Sequence, residues 1–310
     1  MIKRLLLGPQ RPIRNLGEAV DAAGIPQEPV AVISAGWQEA EGDTDDVKEL
    51  VKRPLQDLQL YRRAENVFLA DPQLASAYRQ RQERIMELQL LYQLRLRRLM
   101  MAARETMRAS ADKDLVAAES RHAISQLRAL DRHHLHRVQS MIAEFESKYS
   151  PHTSELLAEH KTDIEKILAQ CPTILLTGGN VIVLLNRLRL FGVHRLLDKH
   201  HLIAWSAGAM VLGDVIVLYH DRTPQGRRDP EVLAPGCCVL PSYAFFPDAN
   251  RRLRLHDSIR VDLMSRRFSP GVCVTLDSGS QLLFDENRID ITTTAHQLKQ
   301  GGRVERLHAA

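Results

Sequence analysis

Short apolar segments alternate with helical patterns over most of this chain, and this alternation constrains the fold more than any other feature. Val, Ile and Leu make up most of the segments at residues 3–7, 29–34, 173–176, 201–205, 215–219 and 272–276. Strands that are covered on both faces have this composition. Helical patterns lie between them, at residues 180–191 and 251–267. This order predicts an α/β fold, a largely parallel sheet with helices on both faces.

The middle of the chain has a different pattern. Apolar residues recur every three or four positions from Ile85 to Met107, and a second such series runs from Leu127 to Phe145 after a breaker at residues 109–114. Two helices of about 30 residues would form an antiparallel hairpin on the order of 45 Å long. We therefore predict an α/β domain of residues 1–72 and 170–310, interrupted by a helical insertion at residues 73–169.

The first hairpin helix carries more apolar surface than one neighbouring helix can cover. Leu90, Leu91 and Leu94 widen its apolar face, so the α/β domain or a second subunit should cover the remainder. We expect a homo-oligomer through this hairpin. Eight arginines and three glutamates lie between Arg79 and Arg108. Because few aromatic residues accompany the arginines, a solvated face is expected and nucleic-acid binding is not.

Composition excludes several classes of protein. A hydrophobic content of 44%, a charged content of 26% and a net charge of +4 are typical of a soluble globular protein. The apolar run near the start is too short for a signal peptide, and no stretch approaches the ~18 apolar residues of a membrane helix. The four cysteines have no CxxC spacing, and His133 and His136 have no convincing third ligand. We expect a cytoplasmic protein without membrane contact, metal or cofactor.

Two motifs point to hydrolytic chemistry. Ala204-Trp-Ser-Ala-Gly-Ala209 follows an apolar run, and its small residues suit a sharp turn from strand to helix. Such a turn exposes a serine hydroxyl and directs backbone N–H groups at its target. Thr177-Gly-Gly-Asn180 also joins an apolar run to a helical pattern. Paired glycines at a helix start present free N–H groups, which suit an oxyanion.

At these residues the chain resembles the peptidase E and cyanophycinase family of serine hydrolases, which have a class I glutamine amidotransferase-like α/β fold. Residues 240–255, Leu-Pro-Ser-Tyr-Ala-Phe-Phe-Pro-Asp-Ala-Asn-Arg-Arg-Leu-Arg-Leu, also match. The resemblance covers about 210 residues in the two flanking portions, and the hairpin has no counterpart in compact members. It implies that Ser206 is the nucleophile and Asp221 the acidic residue. The oxyanion hole would comprise the N–H of Ala207 and that of Gly178 or Gly179.

The resemblance also implies a substrate class. Family members cleave peptide bonds beside aspartate, in small peptides or in an aspartate-rich polymer. An arginine suits a substrate carboxylate because its guanidinium binds in a bidentate manner. Four predicted substrate-binding residues follow from this: Asn180, Arg222, Arg251 and Arg252.

The chain departs from the family pattern at two positions. Ala204 replaces a glycine two residues before the nucleophile, and no histidine occupies the position of the family's catalytic base. Asp248 is the best match to that position and Tyr243 the other candidate. His220 and His256 are possible substitutes for the base. A serine without a positioned base is a weak nucleophile, and a carboxylate is a poorer base than imidazole at neutral pH.

Two functional hypotheses follow. The first is a serine peptidase of the peptidase E type with a modified triad, which the intact serine turn favours. The alternative is a catalytically weakened relative that binds a peptide or small ligand, or acts as an assembly scaffold through its hairpin. The missing histidine and the large hairpin favour the alternative.

Overall fold

The computed structural model of the chain describes residues 2–149, 154–219, 229–286, 288–290 and 292–308. Its strands are β1 (Lys3–Leu7), β2 (Val30–Ile33), β3 (Leu55–Asp57), β4 (Thr173–Leu176), β5 (His201–Trp205), β6 (Val215–Leu218), β7 (Glu231–Pro235), β8 (Tyr243–Pro247), β9 (Val272–Leu276), β10 (Gln281–Asp285), β11 (Arg288–Ile289), β12 (His296–Lys299) and β13 (Arg303–Arg306). Its α-helices are α1 (Leu16–Ala22), α2 (Asp45–Val51), α3 (Leu60–Ala70), α4 (Pro72–Arg108), α5 (Lys113–Lys148), α6 (Glu155–Gln170), α7 (Val181–Leu190), α8 (Ala207–Leu212), α9 (Ala249–Arg252) and α10 (Ser258–Phe268). Short 3₁₀ segments lie at Ala35–Ala40, Val193–Arg195 and Leu197–Lys199.

The central sheet is largely parallel, as predicted. Its strand order is β11-β10-β1-β5-β4-β2-β3. The strands from β1 to β3 in this order pair in parallel, whereas β10 is antiparallel to β1 and β11 is antiparallel to β10. The predicted α/β fold class is therefore confirmed.

Helices cover both faces of this sheet. Successive side chains of each strand point to opposite faces, and both sets are buried. Leu5 and Leu7 pack with the residues of α1 and α2, whereas Leu6 packs with those of α3 and α7. On β5, Ile203 packs on the same side as Leu5 and Leu7, and Leu202 packs on the same side as Leu6. Burial of each such side chain contributes roughly 1.5–3 kcal/mol. This two-sided burial explains why the strands read as uninterrupted apolar runs.

A second sheet, in the order β13-β12-β9-β8, and a β6-β7 pair pack beside the central sheet. Strands β8 and β9 are parallel, and α8 packs against β8. The predicted continuous helix at residues 251–267 is wrong. The chain is extended at Leu253, and α10 begins anew because the Asp257 side chain accepts the N–H of Arg260 at 3.2 Å.

The predicted helical hairpin is present and longer than expected. Helices α4 and α5 contain 37 and 36 residues. Asp71 accepts the N–H of Leu74 at the start of α4, and Asp112 accepts that of Leu115 at the start of α5. These local caps define where both helices begin. Despite this length, neither helix, nor any other within the described ranges, is apolar enough over a sufficient span to cross a membrane.

The hairpin packs directly on the α/β body. Tyr92 and Leu96 of α4 and Leu127 of α5 share an apolar cluster with Val232 of β7 and Leu263 of α10. Residues of α6 belong to the main core. The helices between residues 72 and 170 therefore share apolar cores with the body, and their division into a separate insertion stays a prediction.

A buried ion pair crosses this contact. The Arg267 guanidinium donates to both carboxylate oxygens of Asp131, at 2.6 and 2.7 Å, and to the Tyr92 hydroxyl at 2.8 Å. It also donates to the Pro230 carbonyl at 2.7 Å, and the N–H of Val232 donates to the Tyr92 hydroxyl at 3.1 Å. Helices α4, α5 and α10 and the start of β7 are thus joined by one polar network.

Candidate active site

Ser206 lies on a strained turn between β5 and α8. Its backbone has φ 50° and ψ −117°, a conformation that L-residues rarely adopt. Gly208 lets α8 approach the end of β4, since a Cβ there would lie 2.8 Å from the carbonyl carbon of Leu176. The Ser206 carbonyl accepts the N–H of Met210 at 3.1 Å, so α8 begins immediately after the serine. The motif therefore folds into the strand–turn–helix arrangement that its small residues predict.

The glycine turn after β4 faces this serine. Strands β4 and β5 pair in parallel with Leu176 beside Ala204, which brings the two following turns together. A Cβ on Gly178 would lie 3.1 Å from the Ser206 Cβ. Gly179 has φ +108° and contacts Gly36 and Trp37. Glycine at both positions thus permits a close approach that any side chain would disturb.

Backbone donors are available beside the serine. Among the residues that the structure describes, the N–H groups of Gly178, Gly179 and Ala207 donate to no acceptor. The N–H of Asn180 is already used by the Gly36 carbonyl at 2.7 Å. Free N–H groups next to a nucleophile are what an oxyanion hole requires. The fold leaves the predicted donors unused, and their role in an oxyanion hole stays a prediction.

Asn180 is partly committed to the fold. Its side-chain oxygen accepts the N–H groups of Ile182 and Val183 at 3.0 and 3.2 Å, which caps α7. Only its amide NH₂ group is left for the predicted contact with substrate.

A cleft of about 630 Å³ opens in front of Ser206. Gly178 and Gly179 line it beside the serine, and the Trp37 and Trp205 rings contribute to its walls. A cleft of this volume is within the usual range for small-molecule sites. The serine is thus at a site that a short peptide can enter.

The cleft carries charges of both signs. Arg11 and Arg14 line it, and so do three carboxylates of residues near α2, namely Asp43, Asp45 and Asp46. Arg14 lies 3.5 Å from Asp46. Arg11 is exposed and makes no ion pair with any residue that the structure describes. Its guanidinium is therefore available to a carboxylate within the cleft.

Asp248 lies directly after β8, on the side of the molecule where α8 begins. At the other end of these elements, the N–H of Asp214, just after α8, donates to the Tyr243 carbonyl at 3.0 Å. Since α8 packs against β8, we infer that the two run in opposite directions and that the end of β8 lies towards Ser206. We therefore infer that Asp248 lies closer to Ser206 than Tyr243 does. Asp248 does not line the cleft, and its role as a base stays a prediction.

Contacts of the neighbouring strand β9 agree with this placement. Asp277 follows β9, which is parallel to β8 and ends beside it. A Cβ on Gly8 would lie 2.5 Å from the carbonyl carbon of Asp277. Gly8 follows β1, and the register of β1 with β5 puts Gly8 beside Ser206. The two acidic residues and the serine thus belong to the same corner of the molecule.

The carboxylate of Asp248 has cationic partners. It lies 3.2 Å from the Arg252 guanidinium and 3.9 Å from that of Arg251. Both arginines were predicted to bind substrate. In the structure they contact Asp248, and neither lines the cleft in front of Ser206. Burial raises the pKa of the neighbouring Asp277, and its carboxylate accepts the N–H of Asn250 at 2.8 Å.

No base is bonded to the nucleophile within the described ranges. The Ser206 hydroxyl has no hydrogen-bond partner there. The sequence pattern predicts that His256 lies on the helix after Asp248. In the structure it is exposed on the segment between α9 and α10. Three predicted site residues, His220, Asp221 and Arg222, lie outside the described residues. Their roles stay predictions.

Arg11, Arg14 and Asp277 were missed by the sequence analysis. Each follows the carboxyl end of a predicted strand, β1 for the arginines and β9 for the aspartate. Ligands of open α/β sheets bind at the carboxyl ends of parallel strands, and this rule would have directed attention to these segments. No group of three His, Cys, Asp or Glu side chains that could hold a metal ion occurs among the described residues.

A strained serine between a parallel strand and a helix, faced by free N–H groups, is the arrangement expected of an α/β serine hydrolase. The sequence model of peptidase family S51 matches residues 126–289, just over half of the 310 residues. The chain belongs to peptidase family S51 and thereby to the serine peptidases. This confirms the resemblance seen in the sequence.

Solved structures of two peptidases are similar to this chain over almost its whole length. A peptidase from an acI-B1 Actinobacterium is 11% identical over 100% of this chain and 95% of its own, with a TM-score of 0.47. A "Putative Peptidase E Protein" from Listeria monocytogenes EGD-e is 9% identical over 99% of both chains, with a TM-score of 0.43. No curated protein gives a significant match.

Proposed function

We propose that the chain hydrolyses small peptides at amide bonds beside aspartate, with Ser206 as the nucleophile. The observation that carries this proposal is the strained Ser206 turn at the head of a cleft, with the glycine turn of Gly178 and Gly179 facing it. Strain of this kind costs of order 1–3 kcal/mol and persists mainly at functional sites.

The reaction follows from this arrangement. The Ser206 oxygen attacks the carbonyl carbon of the amide while its proton passes to a base. The negative oxygen of the tetrahedral intermediate accepts the N–H of Ala207 and that of Gly178 or Gly179. The C–N bond then breaks, the leaving amine takes the proton, and water hydrolyses the acyl-enzyme.

The cleft supports an acidic substrate. We propose that Arg11 binds the aspartate carboxylate, because it is the cleft arginine without an ion pair to a described residue. Asp43, Asp45 and Asp46 on the cleft wall suit a peptide's ammonium group. In this proposal Arg251 and Arg252 form ion pairs with Asp248 and do not bind the substrate.

Two residues remain candidates for the base. Asp248 follows β8 at the end that we infer to lie towards Ser206, but its carboxylate is already engaged by two guanidinium groups. His220 has the better chemistry and adjoins Asp221, the proposed acid. A variant pair separates them. Asp248→Asn lowers kcat if Asp248 is the base, and His220→Gln does so if His220 is.

Asp262→Asn is the matched control for Asp248→Asn. Asp262 contacts Arg266 on α10 at 2.8 Å with the same four-residue spacing as Asp248 and Arg252. Loss of that pair should not change kcat. Asp248→His adds a further test, since an imidazole at a true base position should raise the rate.

The nucleophile is tested with a serine-directed fluorophosphonate probe and an aspartyl anilide substrate. We expect one adduct on Ser206, identified by mass spectrometry of the digested protein. Ser206→Ala should abolish labelling and lower kcat by ~10⁴–10⁶-fold. Absence of labelling in the wild type, with unchanged hydrolysis in Ser206→Ala, would refute the proposal. An unreactive Ser206 with retained binding of the peptide would support the alternative, a ligand-binding relative without catalysis.

A further inference from the structure

One side of α4 is apolar and uncovered. Five side chains on it are exposed, and we refer to them as the α4 face: Met86 (66%), Leu90 (61%), Leu91 (61%), Leu94 (67%) and Met101 (42%). The opposite side of α4 is buried against α5, β7 and α10. The helix is therefore held in place, and its apolar face is presented to solvent by the fold itself.

The size of this face lies in the upper part of the range for the largest apolar patch of a monomer. Together the five side chains present on the order of 500 Å² of surface, and the largest apolar patch of a typical monomer, roughly 300–600 Å², is often an interaction site. The internal segments outside the described residues, 150–153 and 220–228, read Ser-Pro-His-Thr and His-Asp-Arg-Thr-Pro-Gln-Gly-Arg-Arg. Neither contains a large aliphatic side chain that would bury against leucine. We therefore expect another molecule, and not one of these segments, to cover the α4 face.

We propose that this molecule is a second copy of the chain, whose α4 packs antiparallel on the first about a two-fold axis. The charges along α4 favour this occupant. Glu83 and Glu87 lie before the leucines, and Arg97 and Arg98 lie after them. Arg84, between the two glutamates, lies 3.7 Å from Glu144 of α5. Such a polar gradient repels a parallel copy and attracts an antiparallel one.

The spacing of residues defines the register. With the axis midway between Leu90 and Leu94, Leu90 packs on Leu94 of the partner subunit. Glu87, three residues before Leu90, then meets Arg97 of the partner subunit, three residues after Leu94. Each contact occurs twice by symmetry. Glu87 and Arg97 are both exposed and make no ion pair with a described residue, so both are free for this contact.

The neighbouring surface accommodates the partner. Leu90, Leu94 and Met101 also line a groove of about 760 Å³, whose other wall contains Asp229 and Glu231. The five apolar side chains, on the order of 500 Å² together, would supply more than half of the ~800 Å² per partner that a standard interface buries. This contact leaves the Ser206 cleft uninvolved, so the proposal does not depend on the proposed function.

The test is the mass of the full-length chain in solution, measured by sedimentation equilibrium. The wild type is expected to be a dimer. Leu90→Glu introduces two buried charges per dimer and should raise the dissociation constant at least about a hundredfold. Leu115→Glu is the matched control, because Leu115 is 64% exposed on α5 and lies outside the α4 face. Circular dichroism and thermal melting verify that each variant is folded.

Charge reversal tests the register. Glu87→Arg and Arg97→Glu should each weaken the dimer, and the double variant should restore it. A monomeric wild type at high concentration, or a dimer that Leu90→Glu leaves intact, would overturn the proposal. Failure of the double variant to restore a dimer lost in both single variants would overturn the antiparallel register.

Discussion

Gly179→Ala places a methyl group where the backbone of the glycine turn contacts its neighbour. Position 179 has φ +108°, and the new Cβ would lie 2.5 Å from the carbonyl carbon of Gly36 and 3.0 Å from Trp37. A non-glycine residue at such a φ costs about 1–3 kcal/mol, and the contact with Gly36 forces the turn to move. The substitution therefore displaces an N–H beside Ser206.

The expected effect on catalysis is larger than that on stability. Removal of one oxyanion donor lowers kcat by ~10²–10³-fold in comparable sites, with little change in KM. Gly179→Ala should show this loss together with a destabilisation of about 1–3 kcal/mol. Hydrolysis of an aspartyl anilide gives kcat and KM, and urea unfolding gives the free energy.

Gly192→Ala is the control. Gly192 also has a positive φ, +73°, but no atom lies within 4 Å of its Cβ position. It should therefore show backbone strain of about 1 kcal/mol and an unchanged kcat. A folded Gly179→Ala protein with the kcat of Gly192→Ala would refute the assignment of this turn to the oxyanion hole.

Three further predictions concern residues inside the fold. Arg267→Met leaves the Asp131 carboxylate, whose side chain is 9% exposed, without its cation. The substitution should lower the free energy of unfolding by about 3–5 kcal/mol and Tm by about 5–8 °C. The double variant with Asp131→Leu should recover most of this stability in thermal melting. Burial lowers the pKa of His134, so the unfolded chain takes up this proton at a higher pH than the folded one. Stability should fall as the pH drops below about 6.5, and His134→Phe should lessen this fall in urea unfolding at pH 8 and pH 5. Ser206→Gly should be about 1 kcal/mol more stable than Ser206→Ala, because glycine relieves the strain at φ 50°.

Local patterns were sufficient to predict the elements around the candidate site. Strands β4 and β5 end where their apolar runs end, and the small residues after each permit the sharp turns that follow. Helix starts are also local, since Asn180 and Ser154 cap α7 and α6 through bonds to residues two or three positions away. These features depend on a few neighbouring residues, so a short window of sequence contains them.

Weak local signals explain why β12 and β13 were missed. Strands β12 and β13 are short, and β13 reads Arg-Val-Glu-Arg, which has no continuous apolar run. Such strands exist because a neighbouring strand supplies their hydrogen bonds, as β9 does for β12. The break at Leu253 likewise arises from a cap by Asp257 inside a pattern that reads as one helix.

Long-range contacts depended on the tertiary structure. Arg11 lines the cleft in front of Ser206, and Asp131 pairs with Arg267, which is 136 positions away in the chain. Such pairs depend on the order of strands and on how α5 and α10 pack, which reflect burial summed over the whole core. The sequence alone predicts the apolar strands and the turn residues, because their conformations depend on hydrogen bonds and packing of near neighbours. It does not predict which residues line the cleft, because each of them is brought there by contacts made elsewhere in the fold.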